Sequence, residues 1–375
     1  MRSGTDFDVL VIGGGPAGSA CATLLARGGA RVAVVEASDF SGFRIGETLD
    51  ASADPLLARL GVPMTGYAGW RLASHGVASA WTTSTIETRP SILNPHGQGW
   101  RVKRHEFDRT LFQNAGAAGA FLFSNARVRE ARRQRGRWDF SIVRDGVELQ
   151  GTTPFVVEAT GRTGRSRFAA AGSRLWIDRL VGVAIVTDCP KPSSSVLDRS
   201  PLVEAGHNGW WYSVLLPGGQ GLTVFFTDGD LLPRSRASIR SFLKIQLHNS
   251  QHIRDHCPFL ENRLDLYHWK VFDARSGIRK MAMSDGWLAT GDSLMAFDPL
   301  TGRGIVNALS SGVEIAEWLL NPQTDSREIP VWVRNASERF NDYLQQRRQV
   351  YGAAQRRANS LFWLRRRDQN SSPLN

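Results

Sequence analysis

The sequence of 375 residues predicts an α/β (α+β) chain: a Rossmann-like nucleotide-binding domain interleaved with an antiparallel-sheet domain, then a C-terminal helical segment. Three observations carry this reading. A strand-like run, a glycine turn, a helix and a second strand succeed one another within residues 7–36. Residues 175–270 are dominated by runs of apolar, β-branched and aromatic residues. From residue 330 onward, apolar positions return at helical spacing. The nucleotide-binding domain takes residues 1–70, 100–170 and 271–320, and the sheet domain that would hold a substrate takes 71–99 and 171–270. Residues 321–375 form the C-terminal helices and tail.

Each element has a local cause. Residues 7–12 form an apolar strand, and Ala17, Ala20, Cys21, Leu24 and Leu25 lie on one face of the helix that follows. A second strand covers 31–35. Residues 71–102 are polar, strand-like and turn-rich; a helix is predicted over 105–118, with short strands near Val128 and over 138–143 and 155–158. In the sheet domain the clearest strands are 180–186, 209–216 and 222–226. Residues 286–289 read as a short strand, followed by a loop and a helix over 304–320. The tail is helical, with Phe340, Leu344, Tyr351, Ala358 and Phe362 at roughly helical spacing. The Ser-rich residues 190–195 and the terminal 369–375 read as loop and tail.

Composition narrows the class. Hydrophobic content of 42% and charged content of 22% are those of a soluble globular chain. No apolar run reaches the ~18 residues of a membrane span, and the N-terminus lacks a secretory pattern, which predicts the cytoplasm. Cys21, Cys189 and Cys257 are far apart, odd in number and without metal-ligand spacing, so no metal site is expected. The net charge of +11 comes mostly from arginine and points to an acidic partner. Nucleic acid is not that partner, because no helix-turn-helix, zinc-finger or RNA-binding pattern is present. Arg347, Arg348, Arg356, Arg357, Arg365, Arg366 and Arg367 fall in clusters nine residues apart, so successive clusters point to opposite sides of a helix. That spacing predicts a solvated helix, or one docking an acidic protein.

Gly13-Gly14-Gly15-Pro16-Ala17-Gly18 matches G-x-G-x-x-G between strand and helix. Its glycines allow a tight turn and close approach of a pyrophosphate to the positive end of the helix. Glu36 ends the next strand, 36 − 13 = 23 positions on, where its carboxylate can grip both ribose hydroxyls and would repel a 2′-phosphate. Downstream, Gly286-Trp287-Leu288-Ala289-Thr290-Gly291-Asp292 is a strand ending in Gly-Asp. It is followed by Phe297-Asp298-Pro299-Leu300-Thr301-Gly302-Arg303-Gly304 and a helix, whose N-terminus can stabilise negative charge.

Together these segments resemble the aromatic-hydroxylase and flavin-halogenase superfamily of FAD enzymes. Arg44-Ile45-Gly46-Glu47 is similar to the R-x-G-E segment of its halogenase-related branch, Trp100-Arg101-Val102-Lys103-Arg104-His105-Glu106-Phe107-Asp108 to its W-x-V-x-R-x-x-F-D pattern, and Glu158-Ala159-Thr160-Gly161-Arg162 to its A-T-G turn. The resemblance implies FAD as cofactor, with Asp292 on the ribityl chain and the turn from Pro299 through Gly302 to Gly304 at the flavin N1–C2=O edge. Arg104 would lie near the phosphates. Gly13, Gly15, Pro16, Ala17, Gly18, Glu36, Arg44, Val128, Gly161 and Gly291 complete the implied cofactor contacts.

Within the superfamily the sequence reads as a hydroxylase. Halogenases need a lysine after the G-E segment, yet the first lysine here is Lys103, and Arg71, the nearest substitute, is a poorer nucleophile. Gly209-Trp210-Trp211-Tyr212-Ser213-Val214-Leu215-Leu216-Pro217 departs from the halogenase W-x-W-x-I-P, and 298–304 lacks the acidic residue that tryptophan halogenases place there. Arg44-Ile45-Gly46-Glu47-Thr48-Leu49, Gly209-Trp210-Trp211-Tyr212 and Phe226-Thr227-Asp228 are similar to flavoprotein monooxygenases that hydroxylate peptidyl tryptophan. Those enzymes act in cysteine tryptophylquinone biogenesis, during maturation of amino-acid oxidases and amine dehydrogenases.

The resemblance implies O₂ activation as a flavin C4a-hydroperoxide, with electrons from NAD(P)H, reduced flavin or a protein reductase, and an acidic protein carrying the target tryptophan. Trp210, Trp211 and Tyr212 are candidates to line the substrate, and Glu47, His75, His207 and Asp298 are candidate acid/base groups. The alternatives are a flavin-dependent halogenase, an isoprenoid reductase and a non-catalytic flavin-binding partner protein.

Overall fold

The computed structural model describes residues 6–64, 69–91, 94–162, 172–188, 200–257, 260, 264, 269–321, 330–354 and 359–367. Cys189, Arg356, Arg357, Ala358 and the segments 190–195 and 369–375, all singled out in the sequence, lie outside these residues.

Strands Val9–Ile12, Val32–Val35, Phe155–Glu158 and Trp287–Ala289 are apolar almost throughout. A strand with no polar face must be covered on both sides, as in a parallel sheet. These four lie in a six-stranded sheet ordered Met283–Ser284, Trp287–Ala289, Phe155–Glu158, Val9–Ile12, Val32–Val35, Phe121–Phe123. All its pairings are parallel except that of Met283–Ser284 at one edge. Helix Pro16–Arg27 starts with proline in its first turn and packs against helix Gly304–Leu320. Gly312 makes that approach possible, since a Cβ there would sit 2.2 Å from the Ala17 carbonyl oxygen. Cys21 is buried in this layer, as its helical position predicts, and burial pushes its thiol up to about 12.

The second sheet has seven strands, ordered Trp269–Asp273, Leu180–Asp188, Gln220–Asp228, Gly209–Leu215, Leu202–Gly206, Gly76–Ala80, Glu87–Pro90. It is antiparallel apart from the pairing of Leu202–Gly206 with Gly76–Ala80. Period-two alternation divides its side chains between two cores. Trp210, Val224 and Phe226 join Tyr351, Phe362 and Trp363 on one face, while Val183, Trp211 and Phe225 meet Ile239, Leu243 and Leu247 on the other. The last three belong to helix Arg236–His248, which interrupts the stretch 175–270 expected to be sheet. Its signals are the cap at Ser235, whose hydroxyl accepts the Ser238 N–H, and the four-residue spacing of those apolar side chains.

Helix Val331–Ala353 ties the halves together. Trp332, Phe340 and Tyr343 sit in the core of the parallel sheet, and Tyr351 in that of the second sheet. Here the expectation of a solvated arginine helix is overturned. Arg347 and Arg366 are each 3% exposed. Arg347 bonds Asp178 at 3.0 Å and Arg366 bonds Asp228 at 2.8 Å, while Arg365 reaches Asp228 and Asp230. The two arginines lie on separate helices, Val331–Ala353 and Leu361–Arg367, and spacing along the tail cannot reveal carboxylates brought to them from segments far away in sequence. Among the described residues no group of His, Cys, Asp and Glu is placed to hold a metal ion, and no helix is long and apolar enough to cross a membrane.

Candidate active site

A cavity of 1150 Å³ runs from the glycine turn at the C-terminal end of strand Val9–Ile12 to the inner face of the second sheet. Its first end is built by three glycines with three different jobs. Gly13 has φ +110°, and a Cβ there would lie 2.2 Å from the Ala159 carbonyl oxygen, so only glycine makes the turn beside strand Phe155–Glu158. Gly18 lets helix and strand approach, a Cβ there being 2.0 Å from the Gly13 carbonyl oxygen. Gly15 lines the cavity with nothing within 4 Å of its added Cβ. That leaves a backbone cradle for a pyrophosphate, at the end where an α-helix leaves its first-turn amides without intrahelical acceptors. The residues present therefore fit a dinucleotide.

Glu36 closes this end. One carboxylate oxygen accepts the Gly14 N–H at 2.7 Å, and the other accepts from Ser38 and from Arg44 at 3.0 Å. Arg44 also bonds Asp108 at 2.8 Å, and Arg104 bonds the same carboxylate while donating to the carbonyl of Ile45. Asp108 thus holds two cavity arginines in place. Its position four residues after Arg104 is the sequence signal for this pairing.

Midway along the cavity, Asp292 follows strand Trp287–Ala289 and bonds Arg162 at 3.3 Å. Arg174 donates to the Asp292 carbonyl at 2.8 Å and Arg279 to that of Ser293 at 2.7 Å, fixing the turn from outside. Burial and the neighbouring charge of Arg279 bring the Arg174 guanidinium down to about 10. Arg162, a cavity residue not anticipated from sequence, stands where the Asp292 carboxylate faces the open space.

The far end is formed by the turn Pro299–Thr301, Gly302 with φ 63°, and the start of helix Gly304–Leu320. Asp298 organises it. Its carboxylate accepts the Leu300 N–H at 3.0 Å and the Tyr351 hydroxyl at 2.7 Å, with Arg347 Nε 3.5 Å away. Burial raises the Asp298 carboxyl, against the opposing charge of Arg347. Facing this turn are Trp210, Tyr212, Val224, Phe226 and Phe272. Trp210 stacks on Phe226 with centroids 4.0 Å apart and donates its indole N–H to Tyr351 at 3.1 Å. Between this wall and the nucleotide end stands Glu47, 4% exposed, which accepts the Gly46 N–H at 2.8 Å. Burial raises its carboxyl despite the opposing Tyr212 hydroxyl. The Tyr212 phenol, itself pushed well up by burial and by Glu47, is 2.7 Å from the Thr48 hydroxyl.

The cavity therefore brings together most of the residues singled out in the sequence: Gly13, Gly15, Pro16, Ala17, Glu36, Arg44, Glu47, Arg104, Val128, Gly161, Trp210, Tyr212, Asp292, Asp298, Pro299, Gly302 and Gly304. Gly18 and Gly291 sit behind its surface, Gly291 against Ala17. Three candidates do not reach it. Trp211 points to the opposite face, fully buried, with its ring 4.7 Å from Phe225 and its N–H directed at the Gln246 carbonyl. His75 is the single exposed residue linking strands Arg71–Ser74 and Gly76–Ala80, and His207 sits in the exposed turn between Leu202–Gly206 and Gly209–Leu215, both outside the cavity lining. Titratable chemistry marks them in the sequence, but their positions between strands keep them out of the lining. Arg71 is also remote: its guanidinium lies over the rings of Trp70 and Trp100.

Residues 6–199 match the family model described as an FAD binding domain. The chain is 26% identical over 363 residues to a putative FAD-dependent oxidoreductase, LodB, of Marinomonas mediterranea, covering 96% of each. Two solved structures share the fold. The flavin-dependent halogenase CmlS superposes with a TM-score of 0.85 at 21% identity, over 98% of this chain and 69% of that one. The peptidyl tryptophan dihydroxylase QhpG superposes with a TM-score of 0.77 at 23% identity, over 98% of this chain and 80% of the other.

Proposed function

The chain belongs to the FAD-binding domain family and is an FAD-dependent oxidoreductase, and from that premise we propose that it hydroxylates an electron-rich aromatic ring, the indole of a tryptophan carried by another protein. The observation that carries this reading is the wall opposite the Pro299–Gly302 turn. It is aromatic and aliphatic, and among the described residues lining the cavity there is no lysine. A halogenase needs an amine there to hold its halogenating species. Arg71, the one nearby substitute, is packed between tryptophans outside the cavity.

Bound FAD would supply two-electron redox chemistry with O₂. In the overall reaction one oxygen atom enters a ring C–H bond and the other leaves as water, with two electrons from NAD(P)H, reduced flavin or a protein reductase. The chain's own residues bind, orient and exclude water. Gly15, Glu36, Arg44 and Arg104 would hold the adenosine and phosphates, Asp292 the ribityl chain, and the N-terminus of helix Gly304–Leu320 would face the flavin ring. Trp210, Tyr212 and Phe226 would hold the substrate ring against that position in a dry slot. Glu47 is the best-placed acid/base group. Burial raises the proton affinity of its carboxylate, so it would accept the proton that the ring releases, with the Tyr212 hydroxyl hydrogen-bonded to it. Asp298 acts as a positioning residue, because it holds the turn through Leu300.

The test combines the FAD-loaded protein with an electron donor, O₂, bromide and either N-acetyltryptophanamide or a tryptophan-bearing acidic peptide. Mass spectrometry should find oxygen added to the indole and no bromine. A brominated product would overturn the reading.

A further inference from the structure

Trp210 closes the flavin cavity and also begins a run of aromatic rings that leads away from it. Behind Trp210, Trp81 lies across its ring at an interplanar angle of 72°, with centroids 6.2 Å apart. Trp81 in turn meets Tyr351 at 5.8 Å and Trp363 at 5.4 Å. Trp210 and Trp363 are each 1% exposed, whereas Trp81 is 8% exposed and is followed by the exposed residues 82–85. Two indoles therefore join the cavity wall to the surface. Burial leaves no room for an oxygen atom to be placed on Trp210, but an electron crosses such packed rings without any group having to move.

Electrostatics gives the run a direction. An indole that loses one electron carries a positive hole, which is stabilised by a strong acceptor on its N–H and by negative charge nearby. The Trp81 N–H donates to the Val350 carbonyl at 2.7 Å. That carbonyl lies in the last turn of helix Val331–Ala353, where C=O groups lack intrahelical donors and the helix presents its negative end. The Trp210 N–H makes a longer bond, 3.1 Å, to the neutral Tyr351 hydroxyl. Tyr351 itself has the guanidinium groups of Arg347 and Arg366 over its ring, at 5.1 and 5.0 Å, which oppose a positive charge there. Among the described residues no guanidinium lies over Trp81 or Trp210. A hole leaving Trp210 is drawn to Trp81 and kept off Tyr351. Close packing accounts for the ring contacts but not for this placement of charge.

We propose that Trp210 and Trp81 form a one-electron path between the flavin cavity and the surface, which gives the FAD-loaded protein a light-driven activity, the reduction of its own flavin by a small external electron donor. The inference needs bound FAD and is independent of which ring the enzyme hydroxylates. In each passage Trp210 gives one electron to the light-excited flavin and Trp81 refills Trp210. A donor such as ascorbate then refills Trp81, releases a proton to solvent and leaves as its one-electron-oxidised radical. Two passages supply both electrons of the reduced flavin, whose proton comes from solvent. Without a donor the hole rests on Trp81.

The test illuminates the FAD-loaded protein with blue light under argon, with no aromatic substrate present. Without a donor, electron paramagnetic resonance of the frozen sample should show a protein radical whose line narrows when the tryptophans are ring-deuterated and is unchanged when the tyrosines are. That measurement needs no variant. With ascorbate, the flavin absorbance should bleach in the light and not in the dark. At equal bound FAD, Trp81→Phe should lose both the radical and the light-driven bleaching, while Trp363→Phe, which lies beyond Trp81 and not between it and the cavity, should keep both. No radical, a tyrosyl radical, or unchanged bleaching in Trp81→Phe would overturn the proposal. None of these outcomes bears on the hydroxylase reading, which is tested in the dark with substrate and O₂.

Discussion

Tyr351→Phe is the most informative single change outside the cavity lining. The Tyr351 hydroxyl accepts the Trp210 indole N–H at 3.1 Å and donates to Asp298 at 2.7 Å, and all three residues are 1% exposed. Phenylalanine keeps the ring's shape, so no cavity of ring size opens and the loss is that of two hydrogen bonds. A buried indole N–H left without an acceptor costs about 1–3 kcal/mol, and a bond to a charged acceptor is worth about 1.5–3 kcal/mol. The two are coupled, and Asp298 keeps the Leu300 N–H, so the sum is an upper bound. The expected loss is about 2–4 kcal/mol, read as a lowered urea midpoint at unchanged slope. Turnover should fall as well, since both the ring wall and the Pro299–Gly302 turn are anchored through this hydroxyl. A loss under about 0.5 kcal/mol, the scale of a surface substitution, would refute the idea that this phenol joins the two walls.

Four further outcomes follow from the same geometry. Glu36→Ala removes the acceptor of the Gly14 N–H and the proposed ribose anchor, so FAD should bind about tenfold to a hundredfold more weakly in a fluorescence titration; unchanged affinity would detach Glu36 from the cofactor. Arg366→Met leaves Asp228 buried with only the partly exposed Arg365, and should destabilise by about 3–5 kcal/mol, whereas Arg144→Met, at a side chain 52% exposed, should stay within about 0.5 kcal/mol in the same denaturation series. Gly182→Ala forces the Phe272 ring aside and should cost about 1–3 kcal/mol, with faster leakage of reducing equivalents to peroxide as water gains access. The Glu47 carboxyl is raised by burial, so the folded state holds its proton over a pH range where the unfolded chain has released it. Stability from this group is full below the unfolded value and declines as pH rises through the folded one, and Glu47→Gln should remove that decline from a pH series of denaturation midpoints.

What could be read in the sequence was local. The glycine turn, Glu36 and the strands around them depend on neighbouring residues, and 155–158 and 304–320 were predicted at the bounds the structure shows. Strand alternation also separates Trp210 and Tyr212, which line the cavity, from Trp211 on the opposite face. What escaped depends on partners distant in sequence. Arg347 and Arg366 read as solvated because nothing in their own two helices announces Asp178 or Asp228. His75 and His207 carry the right chemistry at exposed links between strands, outside the cavity lining. Phe272 became visible only once the sheet had placed it over Gly182 and beside Phe226.

The central claim, that this flavin site oxygenates an aromatic ring, is tested most directly by one turnover experiment in ¹⁸O₂ with bromide present and an acidic tryptophan peptide as acceptor. The expected product carries one or more ¹⁸O atoms on the indole and no halogen. An indole that gains bromine, or gains oxygen only from water, would contradict the claim.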